Sequence, residues 1–357
     1  MDADATGMRQ RRRHEPKDRV KRVRRNSEAH RERATVLSWC MDRQLELSLA
    51  VLMVVAVGNL LEPRQTYLST KWTPSPTLHR SFWSKFVLLS FKDPATESYY
   101  KGRDDAYFIA FWVVAFWFLR EAMMRWAFQT IARFCGIRNH RSVVRFAEQG
   151  YAMSYATVSW LVGLYIMQTS PYRNLRTRQF WEGYPHEAMT PLTKTYLQTA
   201  FWMQQIIVLN LEERRKDFVQ MFTHHVITTS LMAGSYIQNW TRIGNAILVT
   251  MDPVDIVLPL AKLFKYTGKA RAADVCFAIF LVVWILTRHV VFGVILWSVY
   301  FEVSQVMPYT WKPQQGFFFN RTVHVSFAVL LTALQCILSS HRMENGRWRS
   351  IGGGREE

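Results

Sequence analysis

The sequence predicts an all-α, polytopic membrane protein of about eight transmembrane helices with a polar chamber inside the membrane. Three observations carry this. Long apolar runs are separated by connections that hold most of the positive charge, within a formal net charge of +18. Aromatic residues make up 14% of the chain, with 14 Trp. Ionisable side chains recur inside several of the apolar runs, where each costs about 2.5–3.5 kcal/mol on insertion scales. The mean hydropathy of −0.07 averages apolar runs with basic tails and does not describe a soluble protein.

Residues 1–40 form a basic tail, expected to be disordered. Its stretch "RQRRRHEPKDRVKRVRR" also fits a nuclear signal or an RNA-binding arm. It stands directly before a membrane segment, however, where basic residues hold the flank on the cytosolic side and favour anionic lipid. No cleavable signal peptide or lipidation motif is expected, because the first apolar run begins near residue 45. A spanning helix needs roughly 20 mostly apolar residues. Runs near 45–61 and 106–119 give two N-terminal spans within 41–137, the second short unless it extends through "REAMMRWAFQTIARF". Between them "SFWSKFVLLSF" at 81–91 is too short to span and reads as an interfacial piece. Six further runs, near 150–167, 196–211, 218–236, 243–260, 275–300 and 318–338, fall within 138–345. Residues 346–357 are a short tail. The four cysteines, Cys40, Cys135, Cys276 and Cys336, are scattered and support neither a disulfide framework nor a zinc site.

Lysine and arginine set the orientation. Basic residues gather in 120–145, 214–216, 262–271 and the C-terminal tail, which puts these and both termini in the cytosol. The opposite side receives 62–105, 168–195, a tight turn near Asn239, and 301–317. The sequons at Asn239 and Asn320 lie too close to the bilayer to be good glycosylation sites.

The intramembrane ionisable groups are His224, His225, Asp252, Asp255, Arg288 and His289. His224 lies eight residues after Lys216 and Asp252 ten residues before Lys262, so both sit roughly 12–15 Å below their flanking charges at 1.5 Å per residue. The two helices are joined by a short turn, which allows His and Asp to share a layer. Asp252 and Asp255, at i and i+3, occupy one face. Pro253 between them removes a backbone donor and predicts a local break that widens the chamber. Counted from Arg271, Arg288 should sit deeper than this layer, as an anchoring ion pair or a headgroup contact.

A neutral imidazole can act as base or nucleophile, and a carboxylate on its far nitrogen fixes the tautomer and stabilises the charged form. Such a pair suits acyl transfer. The bland alternative is that the histidines only hydrogen-bond to neighbouring helices. A single zinc on His and Asp ligands is a third reading, but no multi-histidine box is present, and no metal or other cofactor is expected. The charged lip Arg214-Arg215-Lys216-Asp217 serves as a positive-inside anchor, as a phosphate-binding site, or as both.

These residues carry a family likeness. "RRKDFVQMFTHHVITTSLMAGSYIQNWTRIGNAILVTMDPVDIVLPLAKLFKY", residues 214–266, resembles the Lag1 motif within the TLC domain of ceramide synthases. The shared elements are RRKDF, the HH pair, the turn containing Ser235, Tyr236 and Asn239, and the D-x-x-D pair. Where many animal members read His-Asp, this chain has Met251-Asp252, which the fungal members resemble better. The likeness spans about 138–345 and implies six helices forming a TLC-type barrel. It also implies N-acylation of a sphingoid base by fatty acyl-CoA, the cosubstrate, in the endoplasmic reticulum membrane. On that reading His224 and His225 with Asp252 and Asp255 are catalytic, and Arg214, Arg215, Lys216, Asp217, Ser235, Tyr236, Asn239 and Arg288 bind substrates. The 301–317 loop is implied in chain-length preference, and a small accessory subunit or a homodimer as partner; no nucleic acid is expected. A non-enzymatic TLC-type helper or an acyltransferase with another acceptor are the rival classes.

Overall fold

The computed structural model describes residue 39 and residues 43–61, 82–93, 95–196, 200–211 and 218–345. The lip 214–217, Cys40, residues 1–38 of the predicted 1–40 tail, and the predicted tail 346–357 lie outside the described residues. What is described is almost entirely helical. Helix α1 is Gln44–Leu61, α2 the short Ser84–Val87, α3 Asp105–Phe134 and α4 His140–Gln168. After two 3-10 turns come α5 Pro191–Tyr196, α6 Ala200–Leu211, α7 Phe218–Ile237 and α8 Thr241–Tyr266. Helix α9 runs Ala270–Val306, a hairpin pairs β1 Thr310–Lys312 with β2 Phe317–Phe319, and α10 is Arg321–Asn345.

Each predicted apolar run overlaps a helix among the described residues. Among the described residues, α1, α3 and α9 are long and apolar enough to cross a membrane. Helices α4, α7, α8 and α10 have the length, at 29, 20, 26 and 25 residues, but carry more polar residues. In α7 the cause is the histidine pair and a run of hydroxyls; in α8 it is two aspartates and two lysines. The second predicted run does extend, to Phe134, through a π-helical stretch at Met123–Phe128. The last begins later than predicted, because Phe317–Phe319 are spent in the hairpin.

Helix α8 is the central element: 13 of its 26 residues are buried, whereas none of Ala270–Ile285 in α9 is. An apolar, unburied stretch of this kind is what lipid, acting as solvent, permits. The α8–α4 contact is the most extensive between helices. Gly163 makes it possible, since a Cβ there would meet Tyr196 Oη and, at 2.8 Å, Val249 Cγ2. Asn245 of α8 donates to Tyr172 Oη at 2.8 Å and to the Gly163 carbonyl at 3.2 Å, which uses both donors of its Nδ2 inside the buried interface. Helix contacts then run from α8 to α9, from α9 to α10, from α10 to α7, from α7 to α6 and from α6 to α3.

The predicted break at Pro253 does not occur. Helix α8 continues through both Pro253 and Pro259. Each proline deprives the carbonyl four residues earlier, Val249 or Asp255, of its helical donor. The packed neighbours of so central a helix hold its axis, and inside a bundle a proline of this kind is tolerated.

Candidate active site

The turn between α7 and α8 sets the register of the site. Asn239 adopts φ 62°, the left-handed conformation that asparagine tolerates. Ser235 Oγ donates to the Trp240 carbonyl at 2.7 Å, and the Trp240 amide donates to the Ser235 carbonyl at 2.8 Å. The two helices therefore run antiparallel from a fixed corner.

Along α7 one stripe comprises His224, Thr228, Leu231, Met232 and Ser235; along α8 the facing stripe comprises Gly244, Ile247, Leu248, Met251 and Asp255. Both follow helical spacing, so each is a single face. Between them lies a narrow cavity, closed by Trp202 of α6, Arg288 of α9, and Phe327 and Leu334 of α10. Its two ends differ. At one, His224, exposed Asp255 and Arg288 form a polar mouth. At the other, Ser235, Gly244 and Phe327 are buried.

The histidines diverge. His224 lines the cavity, while the His225 ring stands 6.0 Å from that of Trp202. The aspartates diverge as well. Asp255 faces the cavity, and Asp252, only 5% exposed, lies beside Ser159 and Tyr155 of α4 and Tyr196 of α5. Counted from Asn239, His224 is 15 residues away, Asp255 is 16 and Asp252 is 13. A tight corner thus puts Asp255 level with His224.

Arg288 is not deeper than this layer. It lies in the π-helical stretch Leu286–Val291, buried, with Nη2 donating to the Met251 carbonyl at 3.3 Å and Nη1 against Met251 Sδ. Asp255 and Asp252 are the negative charges acting on it. Counting inward from Arg271 fails because α9 has 37 residues, about 55 Å at 1.5 Å each. That exceeds a hydrocarbon layer about 30 Å thick, so a count from its first turn does not fix depth.

The other predicted binding residues have architectural contacts. Asn239 is fully buried and its Nδ2 donates to the Gly316 carbonyl at 3.0 Å, tying the corner to the β-hairpin. Tyr236 Oη donates to Asp105 Oδ2 at 2.8 Å. That contact leads to a group the sequence did not reveal: Lys194 of α5 is fully buried, with Nζ 2.8 Å from Asp105 Oδ1. A lysine at the end of a connection and an aspartate opening a span, 89 residues apart, give no sequence signal of pairing. Ser159, Tyr155 and Tyr196 beside Asp252 were also missed, being single polar residues in apolar runs. Among the described residues no three His, Cys, Asp or Glu side chains are placed to hold a metal ion.

Residues 145–341 match the TLC-domain model of the TRAM, LAG1 and CLN8 proteins. The chain belongs to this TLC-domain family of membrane proteins, and within it to the fungal Lag1-type branch. It is 39% identical over 267 residues to the sphingosine N-acyltransferase lag1 of Schizosaccharomyces pombe, covering 74% of this chain and 68% of that protein. It is 42% identical over 226 residues to the sphingosine N-acyltransferase-like protein ALT7 of Alternaria alternata, covering 63% of this chain and 52% of that protein. It is 37% identical over 240 residues to the ceramide synthase LAG1 of Saccharomyces cerevisiae, covering 66% of this chain and 57% of that protein.

Proposed function

We propose that this protein is an acyl-CoA-dependent ceramide synthase, transferring a fatty acyl group to the amine of a sphingoid base to give ceramide or dihydroceramide. The observation that carries the reading is the cavity with His224 at a polar mouth and apolar walls behind it. A thioester held there has its carbonyl at the imidazole and its tail in the apolar groove. His224 takes the acyl group as CoA thiol leaves, or takes the proton from the attacking amine. In either route the amide forms and the C–S bond breaks. Asp255 and Arg288 hold the polar ends of the substrates at the mouth, while Asp252, set beside Ser159, Tyr155 and Tyr196, supports α8 from behind the cavity. His225, against Trp202, supports the arrangement from the α6 side.

We place the six helical segments within 138–345 in a barrel around this cavity, and assign the basic lip 214–217 to the CoA phosphates. Eight spans, both termini in the cytosol and residence in the endoplasmic reticulum complete the proposal. A lipid-sensing helper of the same family has no use for an imidazole at the mouth of an acyl-shaped groove.

The test is incubation of purified protein with acyl-CoA and dihydrosphingosine, followed by mass-spectrometric detection of the amide, with an alcohol acceptor in parallel. His224→Ala is expected to lower turnover by about 10²–10⁴-fold, the usual worth of positioned acid–base catalysis. Near-normal activity in that variant would remove His224 from the reaction. Intact-mass analysis of rapidly quenched enzyme separates the two routes, since direct attack by the amine leaves no acyl adduct.

A further inference from the structure

We propose that Gly244 of α8 and Phe327 of α10 form the end-stop of the acyl groove and set the chain length this enzyme accepts. The inference rests on the acyl-transfer reading of the cavity and adds to it a specificity determinant.

The groove has a fixed length between two unlike ends. His224 to Ser235 on α7 and Gly244 to Asp255 on α8 each span 11 residues, about 16 Å at 1.5 Å per residue. The lining between the ends is nearly all apolar: Leu231, Met232, Ile247, Leu248 and Met251, with Thr228 the exception. The far end offers a ligand no hydrogen-bond donor from Ser235, because its hydroxyl hydrogen is already donated to the Trp240 carbonyl. Behind Phe327 stands an aromatic wall: the Trp240 ring lies 4.7 Å from Phe327 and 5.9 Å from Phe319, both edge-on, and Trp240 is 2% exposed. A hydrocarbon tail entering from the mouth therefore runs along two helix faces and meets packed rings.

Gly244 is the one lining position at that end with no side chain. It is buried within an α-helix, where glycine costs roughly 1 kcal/mol relative to alanine. Its gain here is room at the bottom of the groove. Each methylene that a chain buries is worth about 0.8 kcal/mol, so a stop that admits or refuses two or three methylenes decides between neighbouring acyl-CoAs.

The experiment offers an equimolar ladder of saturated acyl-CoAs to wild type, Gly244→Val and Phe327→Ala, and reads the ceramide distribution. Gly244→Val is expected to move the preferred length down by two or more carbons, and Phe327→Ala to move it up. The same ladder is read by thermal shift of the purified proteins, which needs no turnover and serves any variant that binds but does not react. If wild type forms ceramide and both variants keep its distribution, the end-stop proposal is overturned while the enzymatic reading stands. If wild type forms no ceramide, the enzymatic reading fails. The thermal-shift optimum then decides the end-stop separately: movement in opposite directions supports it, and no movement overturns it.

Discussion

Lys194 shows what a single buried charge requires in this protein. Its ammonium donates to the Ser90 carbonyl at 2.8 Å and the Tyr100 carbonyl at 2.6 Å, and Asp105 Oδ1 stands 2.8 Å away as its counter-ion. Asp105 Oδ2 in turn accepts from the Gly102 amide at 2.9 Å and from Tyr236 Oη at 2.8 Å. One ion pair thus joins α5, the start of α3, the 88–102 loop and the end of α7. Removing one member leaves the other buried and uncompensated, which costs about 3–5 kcal/mol, whereas replacing both by apolar groups is often close to neutral. Lys194→Met is therefore expected to lower the melting temperature of the detergent-solubilised protein markedly, and Lys194→Met with Asp105→Leu to recover much of the loss. Equal destabilisation by the single and double variants would show that the hydrogen bonds, not the charge balance, hold the junction. The residues of the candidate site differ in kind. His224, Asp255 and Arg288 were individually legible because ionisable groups in apolar runs are conspicuous. Their pairing was not, because depth was counted from flanking charges instead of from the Asn239 corner.

At the scale of elements, helices were readable wherever apolar runs exceeded about 15 residues, and the α7–α8 corner was readable from its turn residues. The hairpin Thr310–Phe319 and the packing of 169–190 were not, because their order comes from contacts distant in sequence. The 169–190 connection is held by Arg242 of α8, whose Nη1 donates to the carbonyls of Gln179 at 2.7 Å and Glu182 at 2.9 Å. Within it His186 is buried, with Nε2 3.0 Å from the Glu182 carbonyl. Burial, with the Arg242 charge adding to it, pulls the His186 pKa from 6.5 down to about 4. Between those values the unfolded chain binds a proton that the folded chain refuses, so stability rises with pH across that window. It is fully present above about 6.5 and is lost as the pH falls toward 4. Melting measured from pH 4 to 7 is expected to show this dependence, and His186→Phe to flatten it while leaving the plateau above pH 6.5 within about 1 kcal/mol of wild type. A wild-type curve already flat across that range would place His186 in a solvated setting.

At the scale of the whole molecule, charge and cavity point the same way. The mouth of the groove lies toward the start of α7 and the end of α8, the ends that carry the lip 214–217 and Lys262 with Lys265. Clusters of Lys and Arg beside membrane segments mark the cytosolic side, so on the proposed orientation the mouth opens toward the compartment from which a large, polyanionic CoA ester would arrive. On that proposal the lip would have a reaction-specific role beyond anchoring. Guanidinium groups match phosphate oxygens in pairs, and such contacts between exposed charges weaken with salt. Arg214→Ala with Arg215→Ala is expected to raise KM for acyl-CoA several-fold and to reduce its dependence on salt, with KM for the sphingoid base nearly unchanged. A pure anchor predicts the reverse pattern: altered insertion, with lower yield of correctly oriented protein, and normal KM in the fraction that inserts. Protease access to tags at both termini in sealed vesicles reads orientation independently, so a kinetic change in correctly oriented enzyme isolates the phosphate contact.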